Sequence, residues 1–244
     1  MGNGRLVYHA DVREHFESKK AMGALHQGVM RSFREYMLVG GMPQVVQAFV
    51  NGKDFGKADY VKQQIITLYK NDMQEQNEEN SVYVRNFFDR IPSELSKHDK
   101  RYVLSHIDSS ARIRNYQGPI RWLDEAMIVN LASKVDDPSA AFNFGVTDPA
   151  FKCYLSDTGL LVSPAFSDRL YLENELYRAV LRDQLQVNEG MLVENVVAQC
   201  LKANGHRAYF YVERNPETRK TTMEIDFLIR QAKKIIPIEV KSSV

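Results

Sequence analysis

The stretch from Gly190 to Ser243 constrains this chain more than any other. It opens with GMLVENVVAQCLKANG, where Leu192, Val193, Val196, Val197, Cys200 and Leu201 fall on one helical stripe and Asn204-Gly205 supplies a stop signal. Three strand patterns follow, RAYFYVE, MEIDFLIR and IIPIEVKS, separated by the polar turns NPETRKT and QAKK. Glu194 falls at the edge of the helical stripe, so its carboxylate borders a buried interface. Alternation puts Glu224 and Asp226 on one face of their strand, and Glu239 and Lys241 on one face of the next. Carboxylates set among Ile225, Phe227, Leu228, Ile238 and Val240 are costly to bury unless paired or bound to a cation.

That array has a chemical reading. Asp226 and Glu239 offer oxygens to Mg²⁺, with waters and a substrate phosphate completing the octahedron. A metal there would acidify a water and neutralise charge growing on the phosphate, Lys241 would orient that water or meet the anion, and Glu194 would add a ligand or a water-mediated contact. The competing reading is a structural Glu239–Lys241 pair in a site that does not cleave.

Upstream, apolar residues between about Glu14 and Tyr69 recur at helical spacing, broken at Gly40-Gly41-Met42-Pro43. Glycines suit a left-handed helix end and proline the first turn of the next helix, so this is read as a helix-turn-helix joint. It is not a phosphate loop, because the chain has no Gly-x-x-x-x-Gly-Lys-Ser/Thr run. The acidic stretch 71–80, NDMQEQNEEN, marks a candidate boundary.

Beyond it, VYVRNFFDRIPSEL reads as a helix ending at Pro92. A further helix capped by Ser109 or Ser110 carries Ile113, Ile120, Leu123 and Met127, and Ile128-Val129-Asn130-Leu131 reads as the first strand of a wing. This is the element order of a winged helix, whose third helix can enter a DNA major groove. Residues 81–121 hold eight Lys/Arg against four acids, while the whole chain carries only +1. Arg112, Arg114 and Arg121 are the candidate phosphate or base contacts. Gly118-Pro119 is expected to kink or break that helix, and docking of the module on protein is the other reading. Asp157, in SDTGLL, reads as a cap or Asx turn.

Cys153 and Cys200 lie in apolar company without zinc-ligand spacing and read as buried free thiols. With neither a signal-peptide core nor a membrane-length apolar run, a soluble cytoplasmic protein is expected.

Asp226 followed thirteen residues later by Glu239-Val240-Lys241 across a hairpin resembles the signature of the PD-(D/E)xK nuclease-like fold. More widely, FREYMLVGGMPQVV, ITLYKND, RIPSEL, ARIRNYQGPIRWLDEAMIV, FKCYLSDTGLL, GMLVENVVAQCL, EIDFLI and IPIEVKS resemble, in order from about Phe33 to Ser243, the uncharacterised C-terminal region that follows an AAA-type ATPase domain in many bacterial and archaeal proteins. The resemblance implies an α+β chain. It would comprise a helical segment over 1–80, a winged-helix-like module over 81–150, a connecting segment over 151–189, and a C-terminally incomplete PD-(D/E)xK domain over 190–244. It also implies the site Glu194, Asp226, Glu239 and Lys241, the chain's own ATPase domain as a partner, and DNA as a ligand. ATP would be bound only through that ATPase domain, which is missing from this chain. Since the nuclease-like fold normally continues past this point, an open sheet edge and self-association through it are expected.

Overall fold

The computed structural model describes residues 4–75, 78–109, 111–137, 150–163, 189–218, 220–232 and 234–241. The protein is mixed α+β, with helices leading and a five-stranded mixed sheet completed by the C-terminal region. The helices are α1 (Gly4–Ser18), α2 (Leu25–Val39), α3 (Pro43–Val50), α4 (Phe55–Glu75) and α5 (Glu78–Leu95). A 3-10 turn, Leu104–His106, precedes α6 (Ile113–Glu125). Strands β1 (Val129–Lys134) and β2 (Phe151–Leu155) lead to the short α7 (Thr158–Leu161). The long α8 (Glu189–Ala203) is then followed by β3 (Ala208–Arg214), β4 (Thr221–Gln231) and β5 (Lys234–Ile238).

Several expectations are corrected. β1 is no wing strand: it is an inner strand of the order β2-β1-β3-β4-β5, antiparallel to β2 and parallel to β3. α5 runs past Pro92 to Leu95, and α6 runs through Gly118-Pro119 to Glu125. Pro119 is buried beside Tyr116, Ile120 and Leu123, so packing of that face offsets the lost helical hydrogen bond. Ser109 does not cap α6, whose N-cap is Arg112 without a side-chain bond, and the expectation for Ser110 lies outside the described residues. Cys153 is buried, and burial pushes its thiol well up, but Cys200 is exposed because α8 turns Leu201 and Ala198 inward instead.

The two glycine-bearing motifs turn out to be mates. Gly40 ends α2 with φ +80°, Pro43 opens α3, and Asp157 sits across from them as the N-cap of α7. Its Oδ1 accepts from the Leu160 amide at 3.2 Å and its Oδ2 from the Gly41 amide at 2.6 Å, so one carboxylate caps α7 and anchors the end of α2. Burial pushes the Asp157 carboxyl above its ordinary value, against the lowering effect of these amides and of Lys62. A structural cap is therefore its role. Gly159 packs directly on the Val39–Gly40 backbone.

Alternation along β2 separates the two faces of the sheet. Phe151 joins an aromatic stack with Phe87 of α5 and Tyr102, while Lys152 and Tyr154 point the other way, toward α8 and β4. Asn195 fixes α8 there by bonding both the amide and the carbonyl of Leu155, and Gln199 reaches Thr158 and the Tyr36 hydroxyl. One outer strand, β2, is partly covered where Tyr102 donates its amide to the Phe151 carbonyl. The other, β5, carries Pro237, whose missing N–H blunts that edge. Among the described residues no helix is long and apolar enough to cross a membrane.

Candidate functional site

Glu194, Asp226, Glu239 and Lys241 all line one cleft of about 440 Å³ between α8, the ends of β4 and β5, and the segment following α5. The ladder between β4 and β5 closes at Phe227↔Ile238, one residue short of Asp226 and Glu239. The strand expectation is only partly met: β5 ends at Ile238, and Glu239, Val240 and Lys241 follow it. They are held near by the Val240 amide, which donates to Asp226 Oδ2 at 2.8 Å.

Alternation sets Glu224 and Asp226 on one face as expected, both lining the cleft beside Lys152, but it does not account for the burial of Phe227 next to Asp226. Between Tyr209↔Leu228 and Tyr211↔Ile225 the register slips by one residue, so Asp226 and Phe227 together lie opposite Phe210. Such a bulge re-aims side chains, and here two consecutive residues are both buried. Burial pushes the Asp226 carboxyl above its ordinary value. The Val240 amide and Lys152 pull it down, and the charges of Glu194 and Glu239 push it further up.

Each carboxylate faces a lysine. Glu194, only 4% exposed, pairs with Lys100 through one oxygen and accepts from the Tyr154 hydroxyl at 3.0 Å through the other. Lys152, 1% exposed, lies 3.5 Å from Glu224 and 3.9 Å from Asp226, with its ammonium over the Phe210 ring. Glu239 pairs with Lys241 at the open side, and that bond raises the Lys241 ammonium above its ordinary value. Lys97 and His98 complete the rim. Sequence reasoning missed Lys100, Lys152 and Tyr154. Lys152 and Tyr154 do leave a trace, as polar groups two apart inside the apolar strand FKCYL, whereas nothing local marks Lys100.

The donor set suits a hard cation. Asp226 Oδ1 is beyond hydrogen-bonding distance from Lys152, and two carboxylates are as many as a Mg²⁺ site commonly uses. Among the described residues no three or more His, Cys, Asp or Glu side chains stand together as a metal cage.

Arg112, Arg114 and Arg121 lie elsewhere, exposed on α6. Arg114, Gly118 and Arg121 follow one outward stripe, while Tyr116, Ile120 and Leu123 face inward. Arg121 bonds Glu125 at 2.7 Å.

A further ion cluster ties the cleft segment to the sheet. Asp99 accepts from Arg101 in a two-pronged pair and from Arg214 of β3. Burial raises its pKa, but those arginines outweigh burial and hold the carboxyl well below the usual range. A depressed carboxyl contributes stability that is present above the unfolded pKa of about 3.9 and lost as pH falls toward the folded value. Thermal melts of Asp99→Asn against the parent should therefore differ most near neutrality and converge as pH falls below about 4.

The fold and site together define an α+β protein whose sheet carries an acid–lysine cleft. The chain belongs to the family described as a domain of unknown function (DUF8612), whose model matches residues 30–169. Residues 189–244 match a second domain of unknown function (DUF4143), a type typically found with AAA ATPases. No curated protein and no solved structure matches the chain.

Proposed function

We propose that the cleft is a phosphodiester-binding site of the PD-(D/E)xK type, acting on nucleic acid with Mg²⁺ and coupled to an ATPase domain. The observation that carries this is the convergence of Asp226, Glu239, Lys241 and Glu194, from three separate elements, on one cleft. Asp226 and Glu239 would hold Mg²⁺, which supplies charge neutralisation at the phosphate and an acidified water. Lys100 and Tyr154 fix Glu194 so that it can bond a water in the cleft. Lys241, at the open side, can exchange Glu239 for the developing phosphate charge. Lys97, His98 and Lys100 provide a cationic rim for flanking phosphates. The outward stripe of α6, with Arg114 and Arg121, is the proposed duplex contact, and Arg112 adds charge at its start.

A second reading, a non-catalytic region that regulates or docks on the ATPase, is favoured by one observation. Every acid of the cleft already faces a lysine, with Lys152 shared by Glu224 and Asp226, so three lysines offset most of the charge of four acids without a metal.

Incubation of the chain with duplex DNA and Mg²⁺ separates the two. The nuclease reading expects cleavage that EDTA stops and that Asp226→Ala or Lys241→Ala slows by about 100-fold or more. Equal cleavage by those variants overturns it. Salt-sensitive DNA binding without cleavage leaves a binding module, and no binding at low salt leaves the regulatory region.

A further inference from the structure

A second pocket of about 430 Å³, lined in part by Tyr154, lies where β1 runs ahead of its neighbour. β1 begins at Val129 but pairs with β3 only from Ala132↔Ala208 onward, so the first half of the strand lacks a β3 partner. The gap is bordered by Gly205–Arg207, which lead into β3, and by Lys202 and Asp124 from the last turns of α8 and α6.

Asn130 lines this pocket. It is only 6% exposed, and no hydrogen bond to another described residue engages its carboxamide, whose polar atoms are not fully enclosed. Its two donors and its acceptor are therefore open to a ligand or water in the pocket. Leu131, Ala198 and Ala208 form an apolar wall beside it.

The mouth has the opposite character. Lys202 bonds Asp124 at 3.0 Å, which cancels one charge of each sign, and Arg207 is exposed with no carboxylate partner among the described residues. His206 borders the same opening. The carbonyls at the end of α8 do not offset this positive balance, because Asn204, Gly205 and His206 donate their amides to Cys200, Lys202 and Leu201.

We infer that this pocket binds a small organic phosphate whose other end carries paired donor and acceptor groups, a nucleoside monophosphate being the simplest form. Its phosphate is met by Arg207 and His206 at the mouth, its hydrogen-bonding edge by Asn130, and its apolar body by the wall between them. The volume is within the range of small-ligand sites. The pocket shares Tyr154 with the acid–lysine cleft, where its hydroxyl bonds Glu194, but binding here does not depend on any hydrolysis there.

Titration calorimetry of the whole chain with AMP, and separately with inorganic phosphate, tests this. AMP is expected to bind saturably, and inorganic phosphate at least about tenfold more weakly because it cannot reach Asn130. Asn130→Leu should lower AMP affinity by about tenfold or more while leaving the melting temperature unchanged or higher, since no hydrogen bond within the described residues is lost with the amide. Arg207→Ala, at an exposed position, should weaken AMP and phosphate by a similar factor. The inference is overturned by absence of AMP binding at millimolar concentration, or by Asn130→Leu binding AMP as the parent does. A lowered melting temperature in Asn130→Leu overturns it too, since the amide would then be part of the fold. If that variant does not fold, unchanged AMP binding in Arg207→Ala overturns it.

Discussion

Gly159→Ala should lower the melting temperature of the chain by about 6–12 °C. A Cβ at this position would lie 2.5 Å from the Gly40 amide nitrogen and closer still to the Val39 carbonyl. Those atoms belong to the end of α2, which cannot yield as the tip of a flexible side chain would. The Gly40–Gly41 turn is also fastened to Asp157, so moving α2 away breaks the bond from the Gly41 amide and disturbs the cap of α7. Overpacking of this kind costs about 3 kcal/mol. Gly118, where an added Cβ meets nothing within 4 Å, provides the control: Gly118→Ala on exposed α6 should leave the melting temperature unchanged or raise it slightly. Equal melting of Gly159→Ala and the parent would show that the two motifs are not in contact.

Asp59→Ala is expected to destabilise the chain by about 3–5 kcal/mol, read from urea denaturation. Asp59 and Lys62 sit one turn apart on α4, 2% and 1% exposed, with their charged atoms 2.5 Å apart. Lys62 also donates to the Leu38 carbonyl at 3.1 Å, closing the last turn of α2. Truncating the aspartate removes the ion-pair partner 2.5 Å from a buried ammonium, which keeps its bond to the Leu38 carbonyl and the longer-range attraction of Asp157. Replacing both, as Asp59→Leu with Lys62→Met, removes the buried charge as well and should recover much of the loss. If the double variant is no more stable than Asp59→Ala, the ammonium's contact with Leu38 outweighs its pairing with Asp59.

The parts of the fold legible in the sequence are those governed by neighbours a few residues apart. α8 and its stop at Asn204-Gly205, the three strands after it, and the Gly40-to-Pro43 joint all carry their signals locally. Asp226, Glu239 and Lys241 were legible as a set because a hairpin brings nearby positions together. What escaped depends on partners far along the chain. Lys152 reaches β4 from β2 and Lys100 reaches α8 from the segment after α5, while the slip at Asp226 arises only when β3 is laid beside β4. Proline was over-read at Pro92 and Pro119, since local propensity cannot weigh the apolar face that holds each helix together. Glycine at 40 reads in the sequence as freedom to turn, whereas its importance here lies equally in the room it leaves for the Asp157 carboxylate. That of Gly159, which no sequence signal marks, lies in the close approach of the Val39–Gly40 backbone.

The parallel pairing of β1 with β3 joins strands from the two regions matched by different family models, through Ala132↔Ala208, Ser133↔Tyr209 and Lys134↔Phe210. Each region therefore ends in an unfinished strand ladder that the other completes. In evolutionary terms, the two cannot be shuffled as independent cassettes. A recombination event between them would survive only if the incoming piece presented an edge of the same direction and register, so the pair is expected to descend as one inherited unit.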